Sequence, residues 1–235
     1  MQTNNFKVIL FDVDDTLLSF QGYVKQSMKD GFEHFNLGKF EEWMYPVFTN
    51  TNDKLWRQIE EGTLTFEELK RIRWSMVLKE IGIDFDGVTF ETYFRERLFY
   101  SAVLEEGAVE ILEYLKGRYM LCVVSNGPYE QQINRLKVGG LDKYFSHVFI
   151  SGKVGYSKPT KEFFDCCFNE IRGKEIPDLK PEEVMIVGDS MTADIGGGKA
   201  YGLKTCLYAY YKEPKNDTSM IDHKIKHLLE LKRFL

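Results

Sequence analysis

Two aspartates one residue apart, Asp12 and Asp14, stand at the end of the run Lys7 to Phe11, in the order Asp12-Val13-Asp14-Asp15-Thr16. A carboxylate can attack phosphorus and divide phosphate-ester hydrolysis into two easier displacements, while a second carboxyl group protonates the leaving oxygen and then activates water. A second acidic pair, Asp189 and Asp194, lies in the run Val184 to Asp194, which reads VMIVGDSMTAD. Carboxylates brought together repel unless a cation lies among them. Magnesium takes hard oxygen ligands and usually keeps some water, so Asp12, Asp189 and the backbone carbonyl near Asp14 would suffice to hold it. Asp194 reads as a support that orients the metal's water or the loop, a role compatible with capping the helix that follows. Ser190 and Thr16, beside these aspartates, read as supports of the same kind.

Two further pieces complete a phosphoryl site. Ser125-Asn126-Gly127 offers a hydroxyl and backbone N–H groups for phosphoryl oxygens. Lys158, followed by a stiffening Pro159, offers a cation that offsets charge on both the nucleophile and the transferred group. Taken one at a time, each has a plainer reading: an acidic turn, a simple turn, a solvated lysine.

The elements that must position these residues alternate. Lys7 to Phe11, Met120 to Ser125, His147 to Ser151, Val184 to Asp189 and Lys204 to Ala209 are short apolar runs flanked by turn residues, the pattern of buried parallel strands. Between them AVEILEYLKGR, YEQQINRLKVGG and KEFFDCCFNEIRG carry apolar residues at helical spacing, with glycine near their ends. Strand alternating with helix predicts an α/β fold with a Rossmann-like parallel sheet covered on both faces, and ligands at the carboxyl ends of its strands. All four chemical pieces fall at such ends. The stretch 19–100 interrupts the alternation with helical periodicity and reads as an inserted helical domain, leaving 1–18 and 101–235 as the core.

DVDDT, SNG, the Lys-Pro pair and GDSMTAD, in that order and strand context, resemble the haloacid dehalogenase superfamily from Val8 to about Ala209. The resemblance implies a magnesium-dependent phosphatase. It makes Asp12 the nucleophile and a metal ligand, and Asp14 the general acid/base and a carbonyl ligand. It makes Ser125 and Asn126, with Gly127 beside them, the phosphate binders, Lys158 the charge clamp, Asp189 a metal ligand and Asp194 its support. The insert resembles the helical cap that selects substrates. Asp14 argues against the dehalogenase branch, whose first motif resembles D-x-Y. Asn52, Trp56, Gly62 and Arg73 resemble the branch that includes pyrimidine 5'-nucleotidases, which implies a nucleoside 5'-monophosphate as substrate. Trp56, Trp74, Tyr93 and Asn52 could meet a base, or could simply pack the insert. A sugar-phosphate phosphatase, a phosphomutase and a noncatalytic protein on the same scaffold are the alternatives. Thr160, Lys161 and the triple glycine Gly196-Gly197-Gly198 depart from the family pattern and put the stiffness of their loops in question.

Bulk properties agree with a small phosphorylated metabolite as partner. A net charge of -5 repels nucleic-acid polymers and anionic lipid. No apolar run approaches the roughly 20 residues of a membrane span, and Met1 to Lys7 lacks the pattern of a leader. Cys122, Cys166, Cys167 and Cys206 have no C-x-x-C spacing and read as reduced thiols of a cytoplasmic protein. His223 and His227, although four residues apart, read as solvent-exposed side chains rather than a metal pair, with a switch from strand to helix between them. Tyr208, Tyr210 and Tyr211 read as packing beneath a loop.

Overall fold

A computed structural model describes residues 5–214 and 218–235. Met1 to Asn4, part of the segment read for a leader, lie outside the described residues. The chain divides into two compact units, Met1–Ser19 with Ala102–Leu235, and Phe20–Ser101. The boundaries fall one residue beyond the 19–100 expected.

The first unit is built on a six-stranded sheet: β1 (Val8–Phe11), β2 (Met120–Ser125), β3 (His147–Ile150), β4 (Val184–Gly188), β5 (Lys204–Tyr208) and β6 (His223–Ile225), in the order β3-β2-β1-β4-β5-β6. Every pairing is parallel, so all carboxyl ends lie along one edge. β1 is central. Phe11 is level with Val123 on one side and Val187 on the other, and the chain winds outward from β1 in both directions, which opens a crevice at its end. The continuous apolar runs follow from double coverage. Ile9 and Phe11 pack with Leu112 and Leu136 on one face, and Val8 and Leu10 pack with Phe163, Phe164 and Phe168 on the other.

The helices of this unit are α5 (Ala108–Leu115), α6 (Tyr129–Val138), the short α7 (Ser151–Val154), α8 (Lys161–Lys174) and α9 (Gly197–Tyr201). A π-helical turn, Met191–Gly196, precedes α9. The triple glycine has a packing reason: a Cβ on Gly197 would sit 2.9 Å from Pro159, and one on Gly198 would sit 2.6 Å from Ile186. β6 ends between the two histidines, but the 3₁₀ segment that follows, Leu228–Arg233, starts only after His227, one residue later than expected. His223 differs from expectation in being half-buried and stacked on Phe234, with ring centroids 4.1 Å apart, whereas His227 is exposed. Tyr208 is buried in β5, and its hydroxyl donates to Glu105 at 3.0 Å; the Tyr211 hydroxyl also donates to Glu105, while Tyr210 is exposed. The four cysteines are unpaired thiols, three of them buried.

The two ends of the core that flank the insert are tied to each other. Leu18 bridges Leu104 in antiparallel fashion, the Ser19 N–H donates to the Val103 carbonyl at 2.7 Å, and the Glu105 N–H donates to that of Leu17 at 3.0 Å.

The second unit is all-helical, with α1 (Phe20–His34), α2 (Met44–Glu60), α3 (Phe66–Glu80) and α4 (Gly87–Phe99). α3 begins on a reciprocal cap: the Glu68 N–H donates to Thr65 Oγ1 at 3.2 Å, and the Thr65 N–H to Glu68 Oε2 at 2.8 Å. Its core is aromatic. Trp74 is fully buried among Phe48, Phe90 and Phe94, Tyr93 stacks on His34, and Trp56 leans on Phe66. Within that core Arg73 donates twice to Glu91, at 3.0 and 2.7 Å, and once to Asn52 Oδ1 at 3.0 Å. Trp74, Arg73 and Asn52 are therefore structural members of this unit. No described helix is long and apolar enough to cross a membrane.

A buried ion pair stripped of one partner leaves an uncompensated charge, so Glu91→Leu should destabilise the helical unit by about 3–5 kcal/mol. The double variant Glu91→Leu/Arg73→Met should recover most of that loss. All three tryptophans (Trp43, Trp56 and Trp74) lie in this unit, so tryptophan fluorescence during denaturant unfolding reports it selectively.

Candidate active site

The Asp12 N–H donates to the Val187 carbonyl at 2.9 Å, which extends the ladder one residue past β1 and fixes the start of the acidic loop. The loop then folds on itself. Leu17 and Leu18 N–H groups both donate to the Val13 carbonyl at 2.9 Å, and Asp15 takes a left-handed φ of 56°, a conformation that aspartate tolerates better than most residues. Thr16 is fully buried, and its hydroxyl has no partner among the described residues.

Lys158 is the centre of the site. Only 2% exposed, it spends its three N–H donors on Asp12 Oδ1 at 2.7 Å, Asp194 Oδ1 at 2.6 Å and the Val124 carbonyl at 2.8 Å. Burial opposes its charge, and the Asp12 and Asp194 carboxylates outweigh that, holding the ammonium above the ordinary lysine value. Its main chain is held as firmly: Asn126 Nδ2 donates to the Lys158 carbonyl and Asn126 Oδ1 accepts from the Lys158 N–H, both at 2.9 Å. The Asn126 amide is thus engaged with the chain rather than pointed at a ligand. Gly127 differs from expectation in the same way, because its N–H donates to Ser151 Oγ at 2.9 Å.

Asp194 accepts from Lys158 through one oxygen and from the Ser190 N–H through the other, at 3.1 Å. Ser190, not Asp194, is the helix cap, accepting from the Ala193 N–H at 3.1 Å. Asp12, Asp189 and Asp194 each present an oxygen within 4.8 Å of the others. Lys158 bonds to two of these three carboxylates, and Lys212 acts on Asp189 from further off, so negative charge predominates. Burial, opposed by Lys158 and reinforced by Asp194 and Asp14, pushes the Asp12 carboxyl up to about 7. Burial together with Asp15, Asp12 and Asp194 pushes Asp189 well above the usual carboxylate range. A hard-oxygen donor set with an excess of negative charge fits a magnesium ion. Because both Asp194 oxygens are occupied, Asp12 and Asp189 are the carboxylates left to ligate one.

The Asp14 side chain is held from α6 rather than by Lys158. Its Oδ2 accepts from Gln132 Nε2 at 2.7 Å and its Oδ1 from Arg135 at 2.6 Å, while Ser125 Oγ accepts from the same Gln132 nitrogen at 2.9 Å. Gln132 and Arg135 are the residues that sequence reasoning missed. Both sit on α6, where apolar spacing points to Ile133 as the inward residue. Ile133 is only half-buried, and the buried positions are Gln131, Gln132, Arg135 and Leu136.

A parallel sheet with a crevice at β1, lined by carboxylates and a buried lysine, defines a protein of the Rossmann-like α/β class with a polar site at its strand ends. Comparison with known proteins makes this specific: residues 6–202 match the haloacid dehalogenase-like hydrolases, and the chain belongs to that family. It is 35% identical to YfnB of Bacillus subtilis over 230 residues, covering 98% of this chain and 95% of that one. A crystal structure of YfnB, described as bound to magnesium and revealing interdomain movement, superposes with a TM-score of 0.87 over 98% of both chains. Pyrimidine 5'-nucleotidase PynA of Streptococcus pneumoniae is 30% identical over 86% of this chain and 84% of its own. Pyrimidine 5'-nucleotidase YjjG of Escherichia coli is 29% identical over 87% of each.

Gly188 carries a testable constraint, since a Cβ there would lie 2.2 Å from Asp194 Oδ2. Gly188→Ala should displace the Asp194 carboxylate, cost about 1–3 kcal/mol by overpacking, and loosen Lys158 from Asp194. Thermal unfolding measures the loss of stability, and a crystal structure of the variant shows the displacement.

Proposed function

We propose that this hydrolase is a magnesium-dependent phosphatase acting on a small phosphomonoester, a nucleoside 5'-monophosphate with a pyrimidine base being the favoured substrate. The observation that carries the reading is the Asp12 carboxylate at the carboxyl end of the central strand, tethered by a buried lysine, with a second aspartate two residues on. Asp12 attacks phosphorus and the bond to the leaving oxygen breaks, giving an aspartyl phosphate. Asp14 protonates the departing oxygen and then takes a proton from the water that releases phosphate. The Ser125 hydroxyl and the Asn126 backbone N–H receive phosphoryl oxygens, and Lys158 offsets their charge. Magnesium, held by Asp12, Asp189 and the Asp14 carbonyl, would supply the positive charge that a dianionic phosphate requires beside a carboxylate. The substrate class is supported by PynA and YjjG, and the metal by the magnesium-bound relative. The helical unit serves as a cap in this reading, closing to exclude bulk water. Four unpaired thiols agree with a reducing, cytoplasmic setting.

Asp12→Asn should abolish turnover, as should chelation of the metal; activity that survives both overturns the aspartyl-phosphate route. With magnesium supplied, uridine and thymidine monophosphates should exceed glucose 6-phosphate and phosphoglycolate in kcat/KM. A tenfold preference the other way, about 1.4 kcal/mol, would remove the nucleotide assignment.

The raised Asp12 carboxyl adds a pH dependence. The folded, metal-free protein keeps a proton between the ordinary value of 3.8 and about 7 that the unfolded chain has released. Its stability is therefore greatest below that window and falls as pH rises through it. Magnesium takes the proton's place, so the rise in Tm on adding it should be larger at about pH 8 than at about pH 5. Scanning calorimetry at the two pH values reads the difference.

A further inference from the structure

Helix α6 carries two polar side chains that the scheme above does not use, and both are 1% exposed: Gln132 and Arg135. Three residues apart, they share a helix face. Arg135 donates to Asp14 Oδ1 at 2.6 Å and to Gln132 Oε1 at 2.9 Å. Guanidinium groups only donate, so the contact with Arg135 fixes which end of the Gln132 amide is oxygen. The other end, Nε2, then faces Asp14 Oδ2 at 2.7 Å and Ser125 Oγ at 2.9 Å. An amide nitrogen has two hydrogens, one for each partner. Ser125, having accepted from Gln132, must direct its own hydroxyl hydrogen elsewhere. The carbonyl it meets, that of Asn126, lies at 3.4 Å, long for a hydroxyl donor.

We propose that Gln132 and Arg135 are positioning residues that couple the two halves of the reaction. Arg135 and Gln132 hold the Asp14 carboxyl for proton transfer, and Gln132 turns the Ser125 hydroxyl hydrogen toward a phosphoryl oxygen of the substrate. The inference rests on the roles given above to Asp14 and Ser125. One amide thereby sets the geometry of the proton-transfer group and of a phosphate-binding donor together, and Arg135 sets the amide.

The test uses the full-length enzyme with magnesium and two substrates, p-nitrophenyl phosphate, whose leaving group needs little protonation, and uridine monophosphate, whose alkoxide needs it. kcat/KM reports the steps up to aspartyl-phosphate formation, and the quantity read is the ratio of the two values. Arg135→Met and Gln132→Met should each lower kcat/KM for the nucleotide at least tenfold more than for the aryl phosphate. In the Asp14→Asn background the same substitutions should leave the ratio unchanged. Gln132→Glu keeps the shape but can donate to neither partner, so it should show the same bias even if the methionine variants fold poorly. Arg135→Lys, which retains a donor and the charge, should restore part of the ratio. Equal losses on both substrates, a wild-type ratio in Gln132→Glu, or a gain of activity in Arg135→Met would each overturn the proposal, the last because it would mean that the pair holds Asp14 back. If Asp14→Asn alone shows no leaving-group bias, the acid/base reading of Asp14 fails first and this inference falls with it. That outcome is separable, because it appears without any change on α6.

Discussion

Two buried carboxylates, Asp12 and Asp194, share one buried ammonium with the half-buried Asp189 beside them, and the core unit is organised around that imbalance. Lys158 reaches Asp12 and Asp194 only because Asn126 clamps its backbone and the Val124 carbonyl takes its third proton. Asp194 can approach only because position 188 lacks a side chain. Burial makes the carboxylate charges costly, and the lysines near them do not offset that, which is why the Asp12 and Asp189 carboxyls are pushed upward. The unbalanced charge is a demand for a cation built into the fold.

The strands were legible because double coverage of a parallel sheet writes them as unbroken apolar runs, and each acidic motif stands directly after one. The site's backbone was legible for the same reason, since strand ends in this topology converge. What the sequence hid was the use of individual polar groups. Ser125-Asn126-Gly127 reads as three phosphate donors, yet the Asn126 amide is spent on Lys158 and the Gly127 N–H on Ser151. On α6 the apolar period names Ile133 as inward, while the helix buries Gln132 and Arg135 because their partner is a carboxylate at the strand ends. Hydrophobic periodicity carries no information about polar partners supplied from elsewhere in the chain.

The helical unit has an independent logic. Its aromatic core needs no help from the sheet, and Arg73, Glu91 and Asn52 form a closed polar group within it. Residues that looked available for ligand contact in the sequence, Trp74 and Asn52 above all, are consumed in making that unit stand by itself.

The ties between Leu18 and Leu104, and between Ser19 and Val103, join the chain where it leaves the core to the chain where it returns. The core therefore presents a socket whose two contacts are closed by its own backbone, whatever is plugged between them. Lengthening or exchanging the plug adds little to the entropy of closing the loop, since that cost grows only with the logarithm of its length. An architecture of this kind lets one chemical machine be refitted for new substrates by swapping an entire module, without disturbing the charges on which the machine runs.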